Sequence, residues 1–175
     1  MQDDTKVIGN YTFFWKTGSP FSQWHPSEFV PPDFLASERY GLSEDFRFKN
    51  AEQYMMYRKA VQFHDGDATS KILVCDNPRD VKSIGRGVRG FDASEWDAVK
   101  YDIVKTGNRL KFTQNPALLE RLLATGTTKL VESSPTDRIW GIGLTMEDPR
   151  ALDETKWLGE NLLGKALTEL RDELR

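Results

Sequence analysis

The stretch Phe48-Lys49-Asn50-Ala51-Glu52-Gln53-Tyr54-Met55-Met56-Tyr57-Arg58-Lys59-Ala60 marks where the chain turns from extended segments to helices. Asn50 is a helix N-cap residue, and Gln53 three positions on completes the pattern of a capping box. On a 3.6-residue period Glu52, Met56, Lys59 and Phe63 project to one side of the resulting helix, and Tyr54, Tyr57 and Val61 to the other. Both sides read as buried, so an acid and an amine share an otherwise apolar face. Burying either charge costs on the order of several kcal/mol unless it is paired, hydrogen-bonded or turned toward a polar ligand. Two explanations fit. The face lines a ligand cleft, or Glu52 and Lys59 form a structural pair two turns apart, roughly 10 Å along the axis.

Upstream of this helix, Tyr11-Thr12-Phe13-Phe14-Trp15 reads as a strand ended by the turn Lys16-Thr17-Gly18-Ser19-Pro20. Further extended pieces are expected near Phe29 to Leu35, where Pro31 and Pro32 confine them to an edge, and at Phe46-Arg47-Phe48. Downstream the chain is mostly helical. Asn77-Pro78 starts a helix that stops at Gly85, and Asp92-Ala93-Ser94-Glu95 caps a long one whose stripe is Trp96, Val99, Ile103, Gly107 and Leu110. Asn115-Pro116 starts another, closed by Gly126. Lys129 to Glu132 and Ile139 to Gly143 read as short extended segments around a polar turn, and a last helix is expected from about Lys156. The pattern predicts an α+β chain, predominantly α-helical. It forms a single compact domain over 10–175 with a small N-terminal β portion and a central helical core, behind a flexible terminus at 1–9.

The 175 residues carry a net charge of −3, so no general basic field draws the chain onto nucleic acid. A nucleic-acid substrate would have to be bound locally. Cys75 is the only cysteine, which excludes an internal disulfide, and it is expected to be buried and inert. His25 and His64 are the only imidazoles and lack ligand spacing, so neither a metal nor another cofactor is expected. With no apolar run of spanning length and no hydrophobic leader, the chain reads as intracellular and cytoplasmic, without a membrane or an obligate protein partner. Site chemistry must then rest on carboxylates, amines and hydroxyls.

Two further loops offer such groups. Gly85-Arg86-Gly87-Val88-Arg89-Gly90 lies between a helix end and a helix start, where backbone N–H groups and guanidinium groups can hold phosphate oxygens. A solvated glycine-rich loop is the plainer reading. Glu132-Ser133-Ser134-Pro135-Thr136-Asp137-Arg138-Ile139-Trp140-Gly141 gathers two carboxylates, hydroxyls, an arginine and a tryptophan. Taken locally, Asp137 reads as a turn residue and Trp140 as a core ring, and Ser19-Pro20-Phe21-Ser22-Gln23-Trp24 as a proline turn with an aromatic.

In this order the segments resemble the NADAR family, also described as YbiA-like. The resemblance is carried by Ser19-Pro20-Phe21-Ser22-Gln23-Trp24, by Lys49-Asn50-Ala51-Glu52-Gln53-Tyr54-Met55-Met56 with Lys59, and by Gly85-Arg86 followed by Trp96. It continues through Gly107-Asn108-Arg109-Leu110-Lys111-Phe112, Leu130-Val131-Glu132, Asp137-Arg138-Ile139-Trp140-Gly141-Ile142-Gly143 and Trp157-Leu158-Gly159-Glu160-Asn161-Leu162-Leu163-Gly164. The resemblance implies an N-glycosidase that hydrolyses the bond between ribose C1′ and an exocyclic amine. Its implied substrates are ADP-ribose on guanine in nucleic acid or phosphoribosylamino-pyrimidine intermediates of riboflavin synthesis, the former taken as the leading one. The family's essential acid maps to Glu52, and pocket residues map to Trp96, Asp137 and Trp140. After Trp140 the chain departs from shorter YbiA-like relatives, with Gly141-Ile142-Gly143-Leu144 and a longer charged segment to Thr155.

On this footing Glu52 is expected to be the general acid/base or the stabiliser of a cation at C1′, and Asp137 to hold the ribose or the attacking water. Lys59 is expected either to form a Schiff base with a ring-opened ribose or to bind the substrate. Arg86 is the candidate for phosphate, and Ser22, Trp24, Trp96 and Trp140 for the remaining substrate contacts. The competing reading from another class is a non-catalytic ADP-ribose or nucleotide-binding module.

Overall fold

The computed structural model describes residues 2–175. Its contacts fall into two compact units, one spanning Pro26–Asn115 and the other formed by the chain up to His25 together with Pro116–Arg175.

The Pro26–Asn115 unit is helical, with α1 at Ala36–Tyr40, α2 at Ala51–Gln62, α3 at Gly66–Leu73, α4 at Pro78–Arg86 and α5 at Ala93–Thr113. Helix α2 is its hub and packs on α3, α4 and α5. Its start follows from the cap read in the sequence: Asn50 Oδ1 accepts from the Gln53 N–H at 2.9 Å, and Gln53 Oε1 accepts from the Lys49 N–H at 2.8 Å. Gln53 Nε2 also donates to the carbonyls of Ile72 and Cys75, both at 3.0 Å, so the same side chain fastens the end of α3. Tyr54 and Tyr57 join Phe29, Phe34 and Phe48 in a cluster of rings, and the extended pieces meet in one antiparallel bridge, Phe29 to Phe48. Gly107 brings α5 against α2, because a Cβ there would lie 2.6 Å from the Tyr54 ring. Along α5, Trp96, Ile103 and Gly107 are buried as the stripe requires, whereas Val99 and Leu110 are half-buried. Lys111, outside the stripe, is fully buried, and that burial pulls its ammonium down to about 7.

The second unit contains α6 at Pro116–Leu123, α7 at Leu162–Glu173 and a three-stranded sheet. Strand β1 at Thr5–Ile8 pairs antiparallel with β2 at Tyr11–Phe14, and β2 pairs parallel with β3 at Lys129–Glu132. Phe13 and Val131 on this sheet meet Ile142, Leu144 and Ala151 in a buried core. Asn161, in the left-handed region at φ 55°, closes the free edge of β3: Oδ1 accepts from the Glu132 N–H and Nδ2 donates to the Leu130 carbonyl, both at 3.0 Å. Helix α7 lies on the same strand, with Gly164 so near the Leu130 carbonyl that a Cβ would overlap it.

Several expectations are corrected. The segment 1–9, read as a flexible terminus, supplies β1. Helices α1 and α3 have no counterpart in the sequence reading. Ile139 to Gly143 is not a strand: turns replace it, with Gly143 at φ 69° and its N–H bound to the Asp137 carbonyl. The last helix begins at Leu162 rather than Lys156, because Pro149–Leu152 and Glu154–Lys156 form two short 3-10 turns instead. Cys75 is half-buried rather than buried. No helix among the described residues is long and apolar enough to cross a membrane.

Candidate active site

Glu52 stands in the first turn of α2 and is 4% exposed. Lys59 stands in the last turn of the same helix, half-buried, with Nζ donating to the Gly85 carbonyl at 2.8 Å. Its ammonium lies 4.2 Å from the centre of the Phe91 ring and 5.9 Å from that of Trp96. Partial burial lowers the pKa of Lys59 below the ordinary lysine value. Two rings and a carbonyl hold the charged form, while loss of water favours the neutral amine. Such a lysine can either grip an anion or, once deprotonated, act as a nucleophile.

The end of α4 approaches α2 closely because Gly85 has no side chain; a Cβ there would run into the Met56 thioether. Arg86, the last residue of α4, is exposed. Arg89 is spoken for, since its guanidinium pairs with Asp65 and Asp67. Trp96, in the first turn of α5, is 7% exposed and presents its ring toward Lys59.

Four other expected site residues belong to the sheet-bearing unit. Ser22 Oγ accepts from the Trp24 N–H at 3.2 Å in a local turn, and Trp24 itself is half-buried. Asp137 Oδ1 accepts from the N–H groups of Ile139 at 3.0 Å and Trp140 at 2.8 Å, which is the turn role its sequence context suggests. Trp140 is half-buried, and its carbonyl accepts from the Leu163 N–H at 3.1 Å. The structure thus gathers Glu52, Lys59, Arg86 and Trp96 around α2, and links Ser22 to Trp24 and Asp137 to Trp140 within two turns. Phe91 escaped the sequence reading, although a ring directly after the Gly-Arg-Gly loop was the available signal. Among the described residues, no group of three or more His, Cys, Asp or Glu side chains could hold a metal ion.

An acid and an amine on a buried helix face, beside a Gly-Arg loop and a tryptophan, occur here within a chain whose residues 13–175 match the NADAR domain. The chain belongs to the NADAR family. The matched stretch starts at the end of β2 and runs through both compact units, taking in β3 and the α2 bundle. An N-glycosidase of Acanthamoeba polyphaga mimivirus is 47% identical over 153 residues, covering 87% of this chain and 86% of the relative. The Caenorhabditis elegans protein irg-1 is 36% identical over 99% of this chain and 82% of its own length. The solution structure of Escherichia coli YbiA superposes with a TM-score of 0.70 at 25% identity, covering 99% of this chain and 86% of YbiA. A maize riboflavin biosynthesis protein is 29% identical over 98% of this chain, but the aligned stretch takes up only 26% of that protein.

Proposed function

We propose that this NADAR protein, a hydrolase acting on N-glycosyl bonds, removes ADP-ribose from the exocyclic amine of guanine in nucleic acid. The observation that carries the reading is that one helix, α2, carries both a buried Glu52 and a half-buried Lys59 whose ammonium faces Phe91 and Trp96. The N-glycosidase names of the mimiviral relative and of one from Nostoc punctiforme, 29% identical over 93% of this chain, support the bond class.

Cleavage of a ribosyl C–N bond builds positive charge at C1′ and requires a proton on the departing amine. Glu52 supplies that proton and then, as carboxylate, faces the cation or activates water. Asp137 is assigned a hold on the ribose or on that water, and Arg86 a bidentate hold on the diphosphate. On a covalent route, the neutral Lys59 amine adds to C1′ of the ring-opened ribose and guanine departs with the proton from Glu52. Water then hydrolyses the resulting imine, returning Lys59 and the free sugar.

Mass spectrometry of the protein incubated with guanine-ADP-ribosylated DNA tests the reading, with release of ADP-ribose expected. Glu52→Gln keeps the shape but not the ionisation and slows release by about 10²–10⁴-fold; a variant that turns over at the wild-type rate removes Glu52 from the chemistry. Borohydride during turnover is expected to attach the sugar to Lys59, and absence of an adduct under stalled turnover leaves direct hydrolysis. A second substrate is favoured by the riboflavin-pathway names of the maize relative and of one from Vibrio vulnificus. Release from a phosphoribosylamino-pyrimidine, and not from DNA, would select it.

A further inference from the structure

We propose that Asp65 is a positioning residue for Arg86: its carboxylate fixes the loop after α4 so that Arg89 is consumed internally and Arg86 stays available to an anionic ligand. The proposal deepens the phosphate role given to Arg86 above and rests on it. Asp65 caps α3 just beyond the end of α2 and is 5% exposed. Its Oδ2 accepts from the Arg89 backbone N–H at 2.8 Å and from Nε at 3.4 Å, and its Oδ1 accepts from Arg89 Nη2 at 2.9 Å and from the Ala68 N–H at 3.1 Å. Arg89 Nη2 reaches Asp67 as well, at 2.8 Å. These bonds hold the Asp65 carboxyl well below the usual carboxylate range.

Arg86 ends α4 and Arg89 lies three residues on in the loop, and the Asp65–Asp67 pair would attract either guanidinium. The backbone bond breaks that tie. Because the Arg89 N–H binds the same carboxylate as its side chain, the chain is locked in the register that offers Arg89 to the acids. At the other end of the loop the Gly85 carbonyl receives Lys59 and the Gly85 Cα rests on Met56. Arg86 lies between these two anchors, exposed, with no ion pair to any described residue. A bidentate anion binder works best when its backbone is already fixed, since ordering it on binding would cost affinity.

The test combines calorimetric titration with ADP-ribose and hydrogen exchange of the amides of residues 86–91. Asp65→Asn is expected to weaken ADP-ribose about tenfold and to speed exchange in the loop by at least about tenfold, leaving Tyr54–Tyr57 protected as before. Arg86→Gln weakens binding at least as much, and Asp65→Asn adds nothing further in the Arg86→Gln background. Additive losses, or unchanged binding despite a loosened loop, overturn the coupling; unchanged exchange overturns the clamp. Should Asp65→Asn fail to fold, Arg89→Met keeps the carboxylate and the backbone bond, and a loss of about threefold that vanishes with Arg86→Gln is the expected result. If the wild type binds no ADP-ribose, the phosphate role of Arg86 fails, and loop exchange alone upholds or overturns the Asp65 clamp.

Discussion

The loop after α4 and the loop after β3 are both polar, glycine-bearing and placed beside candidate site residues, yet they are held in opposite ways. Side chains reach the first from neighbouring helices: Lys59 binds Gly85, and Asp65 binds Arg89. The second holds itself through its backbone. Asp137 bonds two N–H groups in its own turn, the Gly141 carbonyl accepts from the Asn161 N–H, and Gly159 sits against the carbonyls of Gly141 and Arg138. The loop after α4 is thus held by charged side chains from neighbouring helices, whereas the loop after β3 is held by a local Asp137 turn and by backbone packed closely on backbone at Gly159. The first arrangement should answer to pH and charge, and the second to volume.

The largest effect expected from that contrast concerns Lys111. Its folded pKa of about 7 lies below the ordinary value of 10.5, so between these limits the unfolded chain binds the extra proton. Stability therefore rises with pH from about 7 to about 10, by on the order of 3 kcal/mol from this group. Lys111→Met should flatten that rise in urea titrations across the range. An unchanged slope would separate the buried lysine from the energetics of its unit.

Gly159→Ala comes next. A Cβ there overlaps backbone that cannot step aside, which should cost about 2–3 kcal/mol in denaturant unfolding. Gly85→Ala meets the Met56 side chain, from Sδ back to Cβ, and no backbone, so a smaller cost of about 1–2 kcal/mol is expected. Equal losses at the two glycines would erase the distinction drawn between the loops. The smallest effect separates shape from charge at Asp137: Asp137→Ala should lower the melting temperature by the equivalent of about 1 kcal/mol, while Asp137→Asn, which can accept the same two bonds, stays near the wild type. A fall in turnover with Asp137→Asn at unchanged stability would then support a role in the chemistry.

The helical unit was the more legible of the two in sequence for the same reason. Caps are local, so Asn50, Asn77-Pro78 and Asp92 announced α2, α4 and α5. The acid and amine on α2 were visible because helical spacing places them without any tertiary knowledge. Helix α3 was missed even though Asp65 caps it, because the main work of that carboxylate is a bond to Arg89, 24 residues away. Strand β1 escaped because Thr5-Lys6-Val7-Ile8 is short and buries no residue fully. Ile139 to Gly143 has the composition of a strand, but the turn bonds to Asp137 and the positive φ of Gly143 decide its path, and neither is written in its hydrophobicity.

The parallel pairing of β2 with β3 also sets an order of events in biosynthesis. Tyr11 leaves the ribosome about 120 residues ahead of its partner Lys129, and all of Pro26–Asn115 is made in between. The helical insert, whose contacts close over short stretches of chain, can therefore assemble while the first hairpin still waits with one open edge. Prematurely ended or stalled chains would carry Phe13 and Phe14 on a strand with nothing to cover it, so chaperone dependence should concentrate on the hairpin and not on the helices.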